Sequence, residues 1–100
     1  MIWSCEINYS GWEDDIHHHH FFIDKETKPT EDEVAQHYNW AIFHNEDEYD
    51  RNWLRKATKN ERVSIADSDY VALDSKGMVR YWLVHIIIEP LKVEKLDDSN

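Results

Sequence analysis

The sequence contains little cysteine, glycine or proline. Cys5 is the one cysteine, so no disulfide can form within the chain, and a small secreted scaffold held together by disulfides is excluded. Because a single cysteine is typical of a reducing compartment, we expect the protein to work in the cytoplasm.

Two glycines in 100 residues leave no glycine-rich loop of the kind that cradles phosphates.

Long hydrophobic runs are also missing. The longest apolar stretch, residues 81–88, is interrupted by His85 and is far shorter than the ~20 residues of a membrane-spanning helix. Residues 1–10 carry charged and polar side chains where a signal peptide would need an apolar segment. We expect neither secretion nor a membrane partner.

Basic residues are few. Eleven Lys and Arg stand against 21 Asp and Glu, which gives a formal net charge of -10. This balance disfavours direct binding to nucleic acid or to anionic lipid, because phosphate binding depends on Lys and Arg. Residues 1–50 alone contain two Lys and thirteen acidic residues, so the acidic surface belongs to the N-terminal half.

The residues that are present suit one small domain. Apolar residues make up 41% of the chain, and thirteen aromatic side chains can fill a single core. We predict one domain over residues 1–96 and a disordered tail over 97–100.

Alternation predicts two strands near the N-terminus, over 2–9 and 17–24, paired antiparallel. Pro29, Thr30 and Glu33 then predict a capped helix. One stripe of this helix, with four apolar residues among its six, is predicted to lie on the sheet: Val34, His37, Tyr38, Ala41, Ile42 and Asn45.

A second helix is predicted over 47–59, because acidic residues precede basic ones there as a helix dipole prefers. Strands are predicted over 63–65, 70–73 and 78–88, the last two joined by a hairpin turn at 74–77. The predicted fold is α+β, with an antiparallel sheet of four to five strands and one or two helices packed on one face.

Four consecutive histidines, His17 to His20, are the most conspicuous motif. On a strand, His17 and His19 would share one face and His18 and His20 the other, and either pair could bind a transition metal if a carboxylate joined it. No spacing of Cys, His or carboxylate elsewhere completes a recognised site. We expect any metal binding to be weak and dispensable, no cofactor, and no effect on fold or partner binding when His17 and His19 are replaced by Gln.

Motifs for catalysis are missing as well. No Ser, Cys or Thr lies in a nucleophile motif, and neither paired carboxylates nor HExxH occurs. His37, His44 and His85 are interpreted as packing or surface residues. The chain is not expected to be an enzyme.

Three acidic clusters are the candidate partner-binding residues. They are interpreted either as aids to solubility and helix dipoles or as a phosphate-like surface that could occupy the basic groove of a nucleic-acid-binding protein. Trp40 and Phe43 are candidate apolar anchors. The clusters are Glu46, Asp47, Glu48 and Asp50; Glu31, Asp32 and Glu33; and Glu13, Asp14 and Asp15.

Residues 61–88 resemble the short β element of small phage- and plasmid-borne proteins called YodL-like. Val63, Ser64, Ile65 and Asp67 match the family's S-x-S-V-G-D-V stretch, with Ala66 in place of glycine. The resemblance implies a viral or mobile-element origin and transfers no activity. In size, acidity and aromatic content the chain also resembles virus-encoded inhibitors, including anti-CRISPR proteins.

The function expected from these features is inhibition of a host nucleic-acid-handling complex, for example a CRISPR effector, through acidic contacts in the host cytoplasm. Two alternatives stay open. One is a metal-binding module at His17 to His20, and the other is a homodimerising module that pairs at the apolar segment 86–88.

Overall fold

The computed structural model describes residues 1–10, 16–43, 52–64 and 69–92. Their strands form two antiparallel three-stranded sheets, sheet A in the order β2-β1-β6 and sheet B in the order β3-β4-β5. The α+β class is confirmed, but the prediction of one sheet with four to five strands is wrong. In chain order the elements are β1 (Ile2–Ser10), β2 (Ile16–Asp24), α1 (Glu31–Phe43), β3 (Trp53–Lys56), α2 (Lys59–Ser64), β4 (Tyr70–Leu73), β5 (Val79–Tyr81) and β6 (Leu83–Pro90).

At Trp82 the chain leaves sheet B and enters sheet A. The strand predicted over 78–88 is in fact two strands, β5 and β6, which lie on either side of this residue. β5 pairs with β4 in sheet B, whereas β6 pairs with β1 in sheet A. The chain therefore passes from one sheet to the other within a segment whose apolar pattern looks continuous.

β1 is the central strand of sheet A, and both predicted N-terminal strands are confirmed. Its pairing with β2 runs without a bulge from Ile2 opposite Asp24 to Ser10 opposite Ile16. Cys5, Ile7 and Tyr9 point to one face and are fully buried or nearly so, as alternation requires. This inner face of sheet A packs against α1 and sheet B to form the core.

α1 begins with the predicted capping box. The Thr30 amide donates to Glu33 Oε1 at 3.0 Å, and the Glu33 amide donates to Thr30 Oγ1 at 3.1 Å. Two backbone amides that the helix itself cannot satisfy are thereby paired.

We expect Thr30→Ala to lower the free energy of unfolding by about 1 kcal/mol, because the Glu33 amide loses its acceptor. Urea denaturation of the variant and the parent measures the difference. Thr27→Ala is a matched control outside α1. Equal stability of Thr30→Ala and the parent would mean that the cap does not stabilise the helix.

The buried face of α1 differs from the predicted stripe. Val34, Ala35 and Tyr38 are buried, whereas His37 and Ala41 are exposed. In this orientation the Asn39 side chain exchanges two 2.8 Å hydrogen bonds with the backbone N–H and C=O of Leu54 in β3. Of the remaining stripe members, the Ile42 side chain and Asn45 lie outside the described part of the chain.

The second helix predicted over 47–59 is wrong, because Trp53–Lys56 is strand β3 and the helix α2 begins only at Lys59. Thr58 and Glu61 form a second capping box, with hydrogen bonds of 2.7 and 3.3 Å. Arg55 holds Glu61 through two further bonds of 2.8 and 3.0 Å, which ties β3 to α2. The strand predicted over 63–65 is also wrong, since residues 63 and 64 belong to this helix.

The hairpin turn over 74–77 is confirmed. Asp74 Oδ1 accepts from the amides of Lys76 and Met78 at 2.9 and 3.0 Å, and Gly77 adopts a φ of 81° that favours glycine. Strand β4 matches its predicted range. At the C-terminus, β6 ends at Pro90, and the predicted tail over 97–100 lies outside the described residues.

Candidate partner-binding surface

The acidic residues at the start of α1 are only partly available as free negative charge. The Glu33 carboxylate closes the capping box and also forms an ion pair with Lys25. The Lys25 ammonium and the Thr30 amide lower the pKa of Glu33. Glu33 therefore stays ionised, but a lysine compensates its charge.

Asp32 is engaged in a similar way. Its carboxylate accepts a hydrogen bond from the buried Tyr70 hydroxyl and lies 3.4 Å from Lys56 Nζ. The Tyr70 bond, followed by Lys56, lowers the pKa of Asp32, whereas burial and then the Asp32 carboxylate raise the pKa of Tyr70. Asp32 thus joins α1 to β3 and β4 of sheet B.

Glu31 differs from its two neighbours. It takes part in none of the ion pairs between described residues. It lies beside a groove of about 340 Å³ between α1, β4 and β6, whose wall also includes Asp69 and His85. Of the three predicted acids in this cluster, Glu31 is the one without an ion pair to another described residue.

Trp40 is exposed over 60% of its surface, which is unusual for so large an aromatic side chain. It lies on α1 about two turns beyond the acidic cluster, roughly 10 Å along the helix axis. The role of Trp40 as an apolar anchor stays a prediction, and the side chain of Phe43 lies outside what the structure describes.

The other two acidic clusters fall outside the described residues. Glu13, Asp14 and Asp15 belong to the segment between β1 and β2, and Glu46, Asp47, Glu48 and Asp50 to the segment between α1 and β3. Because β3 occupies 53–56, the predicted continuous helix from 47 to 59 does not exist.

The four histidines divide between the two faces of β2, as alternation predicts. His17 and His19 are half-buried on the inner face, where both rings stack on Tyr9 with centroids 5.0 and 5.4 Å away. His18 and His20 are exposed on the outer face and hydrogen-bond to Asn8 and Ser4 of β1.

The inner pair joins β2 to the rest of the core. His19 Nε2 lies 3.0 Å from the Tyr9 hydroxyl, which in turn lies 2.9 Å from the Tyr38 hydroxyl of α1. His17 Nε2 lies 2.9 Å from the Tyr81 hydroxyl of β5. The two imidazoles therefore connect sheet A to the helix and to sheet B.

The four imidazoles of the tetrad form hydrogen bonds, and the Cys5 thiol is buried. Within the described residues, no group of three or more His, Cys, Asp and Glu side chains is placed to hold a metal ion. Each imidazole of the tetrad instead bonds to a neighbouring side chain. Cys5 is fully buried, and burial raises the pKa of its thiol, which disfavours the nucleophilic thiolate.

Acid should weaken the ion pair that joins β3 to α2. Arg55 and the Thr58 amide lower the pKa of Glu61 to about 2, and the carboxyl of an unfolded chain titrates near 4.3. The stabilisation is thus present above about pH 4.3 and is lost as the pH falls towards 2, because the unfolded chain takes up the proton first.

We therefore expect the stability difference between the parent and Glu61→Gln to be largest above about pH 4.3 and to shrink as the pH approaches 2. Urea denaturation of both proteins across this range measures it. Glu26→Gln, an exposed acid outside the pair, is the control. A stability difference that does not change with pH would mean that the Glu61 charge does not hold α2.

Comparisons with known proteins give no relative. No family model matches the chain, no curated protein matches it, and no solved structure resembles it significantly. None of the helices among the described residues is long and apolar enough to cross a membrane.

Proposed function

We propose that this chain is a small acidic accessory protein of a phage or mobile element that binds and inhibits a host nucleic-acid-handling complex. A CRISPR effector is one example of such a complex. The inhibitor would act in the host cytoplasm by stoichiometric binding, without catalysis and without contacting nucleic acid itself.

The observation that carries the proposal is the one-signed charge of the N-terminal half. Thirteen acidic residues and two lysines lie in residues 1–50, and both of those lysines belong to the short segment 25–28. A field of one sign speeds encounter with a basic groove and excludes acidic partners. The exposed Trp40 adds an apolar side chain of the kind that holds a complex once it has formed.

Contacts within the fold favour some of these acids over others as contacts for the partner. Asp32 and Glu33 stabilise the fold through Tyr70, Lys56 and Lys25, so we assign them to shaping the surface more than to binding. Glu31 and the cluster formed by Glu46, Asp47, Glu48 and Asp50 are our first choice for the contacts. Glu13, Asp14 and Asp15 are the second.

An affinity pull-down from host lysate, read out by mass spectrometry, tests the proposal. We expect a nucleic-acid-binding complex to be recovered at low salt and lost at high salt, because screening shortens the reach of surface charge to about 10 Å at 0.1 M. Recovery of the chain alone under all conditions would contradict the proposal.

The homodimer alternative has one observation in its favour. Sheet A has a strand at each edge, β2 on one side and β6 on the other, and β6 contains the segment 86–88. An edge strand is the part of a sheet that can pair with another chain.

A further inference from the structure

The outer edge of β2 presents a row of backbone hydrogen-bonding groups. The Lys25 amide donates to the Met1 carbonyl at 2.9 Å, which fixes the odd-numbered residues of β2 as those that exchange hydrogen bonds with β1. The even-numbered residues therefore direct their N–H and C=O groups away from β1. They are Ile16, His18, His20, Phe22 and Asp24.

Within its own nine residues, β2 lacks several features that usually prevent strands from pairing. β2 is nine residues long, contains no proline or lysine, and pairs with β1 without a bulge. Its one charged side chain, Asp24, stands at its end. None of the other described strands pairs with β2 on this side.

The opposite edge of sheet A is less open. The Leu91 amide donates to the Ile2 carbonyl, so the residues of β6 that point outward are the even-numbered ones from Val84 to Pro90. Pro90 has no N–H to donate. β6 also lies against β4 of sheet B, which occupies space beside it.

We propose that a second copy of this chain pairs with β2, strand against strand and antiparallel, so that two copies of sheet A become one continuous sheet. A two-fold axis through His20 overlaps all nine residues. It also places the outward backbone groups of one copy opposite those of the other, since even-numbered residues face even-numbered residues in this register.

The uncharged edge favours a second copy over a partner that is recognised by charge. The chain carries a net charge of -10, yet residues 16–23 carry no charged side chain, so a partner recognised by charge would find nothing to bind here. Two β2 strands can meet without placing like charges opposite each other.

The outer side chains also match their own copy. In this register Phe22, which is 51% exposed, lies opposite His18 of the second copy, and aromatic pairs across strands are favourable. Ile16, which is 63% exposed, lies at the end of the shared strand, where pairing covers part of its surface.

Sedimentation equilibrium of the whole chain tests the proposal with two variants. His20→Lys places two ammonium groups opposite each other at the axis and should weaken the dimer at least tenfold. Ile87→Lys adds the same charge at an exposed position of β6 and should leave the dimer intact. Circular dichroism confirms that each variant is folded.

Cross-linking gives a second measurement. In a hydrogen-bonded antiparallel pair the Cα atoms are about 5.5 Å apart, within the range of a disulfide. His20→Cys should therefore form a covalent dimer on oxidation, whereas Ile87→Cys should not. Cys5 is fully buried and does not compete.

The dimer does not depend on the proposed function, and the effect of salt distinguishes dimer formation from binding to a basic partner. Salt should strengthen the dimer, because screening reduces the repulsion between two acidic copies, whereas it should weaken binding to a basic partner. A parent that stays monomeric at high concentration and high salt would overturn the dimer. So would a dimer that Ile87→Lys dissociates and His20→Lys does not.

Discussion

Replacing both His17 and His19 by Gln should lower the free energy of unfolding by about 3 to 5 kcal/mol. Each substitution removes an aromatic stack on Tyr9 and a hydrogen bond to a tyrosine hydroxyl. Such a stack contributes about 0.5 to 1.5 kcal/mol and such a hydrogen bond about 1 kcal/mol. The sequence-based expectation that this pair could be replaced without consequence therefore disagrees with the packing.

The outer pair supplies the matched control. His18 and His20 have the same residue type on the same strand, but they are exposed, so His18→Gln with His20→Gln should change stability by less than about 1 kcal/mol. Urea denaturation at a concentration where the parent is monomeric compares the two double variants. If both lose the same stability, the inner histidines do not hold the sheets together.

Charge reversal of Glu46, Asp47 and Asp50 to Lys should weaken binding to the captured partner at least tenfold, which corresponds to about 1.4 kcal/mol. The physical reason is the loss of attraction at close range together with new repulsion from a basic groove. Glu31→Lys, at the acid of the α1 cluster that forms no ion pair with another described residue, should act in the same direction. Titration calorimetry or surface plasmon resonance measures the affinity.

A control with the same change in net charge separates a local contact from the overall field. Asp24, Glu26 and Glu89 are exposed acids outside the three clusters, and reversing them to Lys changes the net charge equally. We expect a smaller effect from this triple variant, mainly on the association rate. Equal losses from both triple variants would show that no particular cluster contacts the partner.

The sequence predicted the parts of the fold that depend on local signals. Alternation from Trp3 to Tyr9 identified β1, and the Thr30 box identified the start of α1. These patterns work because backbone geometry alone sets a period of two in a strand and leaves unpaired amides at a helix start.

The start of α2 was present in the sequence and was missed. Thr58 and Glu61 have the same spacing as Thr30 and Glu33, and they mark the start of the second helix at Lys59. The succession of acidic and basic residues over 46–59 suggested a longer helix instead. A capping box names particular amides and their acceptors, so it is the more specific signal of the two.

The division into two sheets could not be predicted, because it depends on tertiary contacts. No local signal distinguishes Trp82 from its neighbours in the apolar run. The chain changes sheets there because β5 pairs with β4 and β6 pairs with β1. The same holds for Asn39, whose bonds to the Leu54 backbone join residues far apart in sequence.

The sequence predicted which acidic residues lie together at the start of α1, but it did not predict which of them form ion pairs with lysines. Glu31, Asp32 and Glu33 do lie together at a helix start, and Trp40 is exposed. The lysines that compensate Asp32 and Glu33 come from other elements, Lys56 in β3 and Lys25 in the connection between β2 and α1. Sequence spacing did not indicate these ion pairs. They distinguish Asp32 and Glu33 from Glu31, which forms none with another described residue.

The affinity of the purified chain for its captured partner, measured between about 0.05 M and about 0.5 M salt, tests the central claim most directly. Binding through the acidic surface predicts that affinity falls steadily as salt rises, and that the fall is shallower for the Glu46, Asp47 and Asp50 reversal. An affinity that stays constant over this range, in the parent and the variant alike, would contradict the proposal that acidic contacts hold the partner.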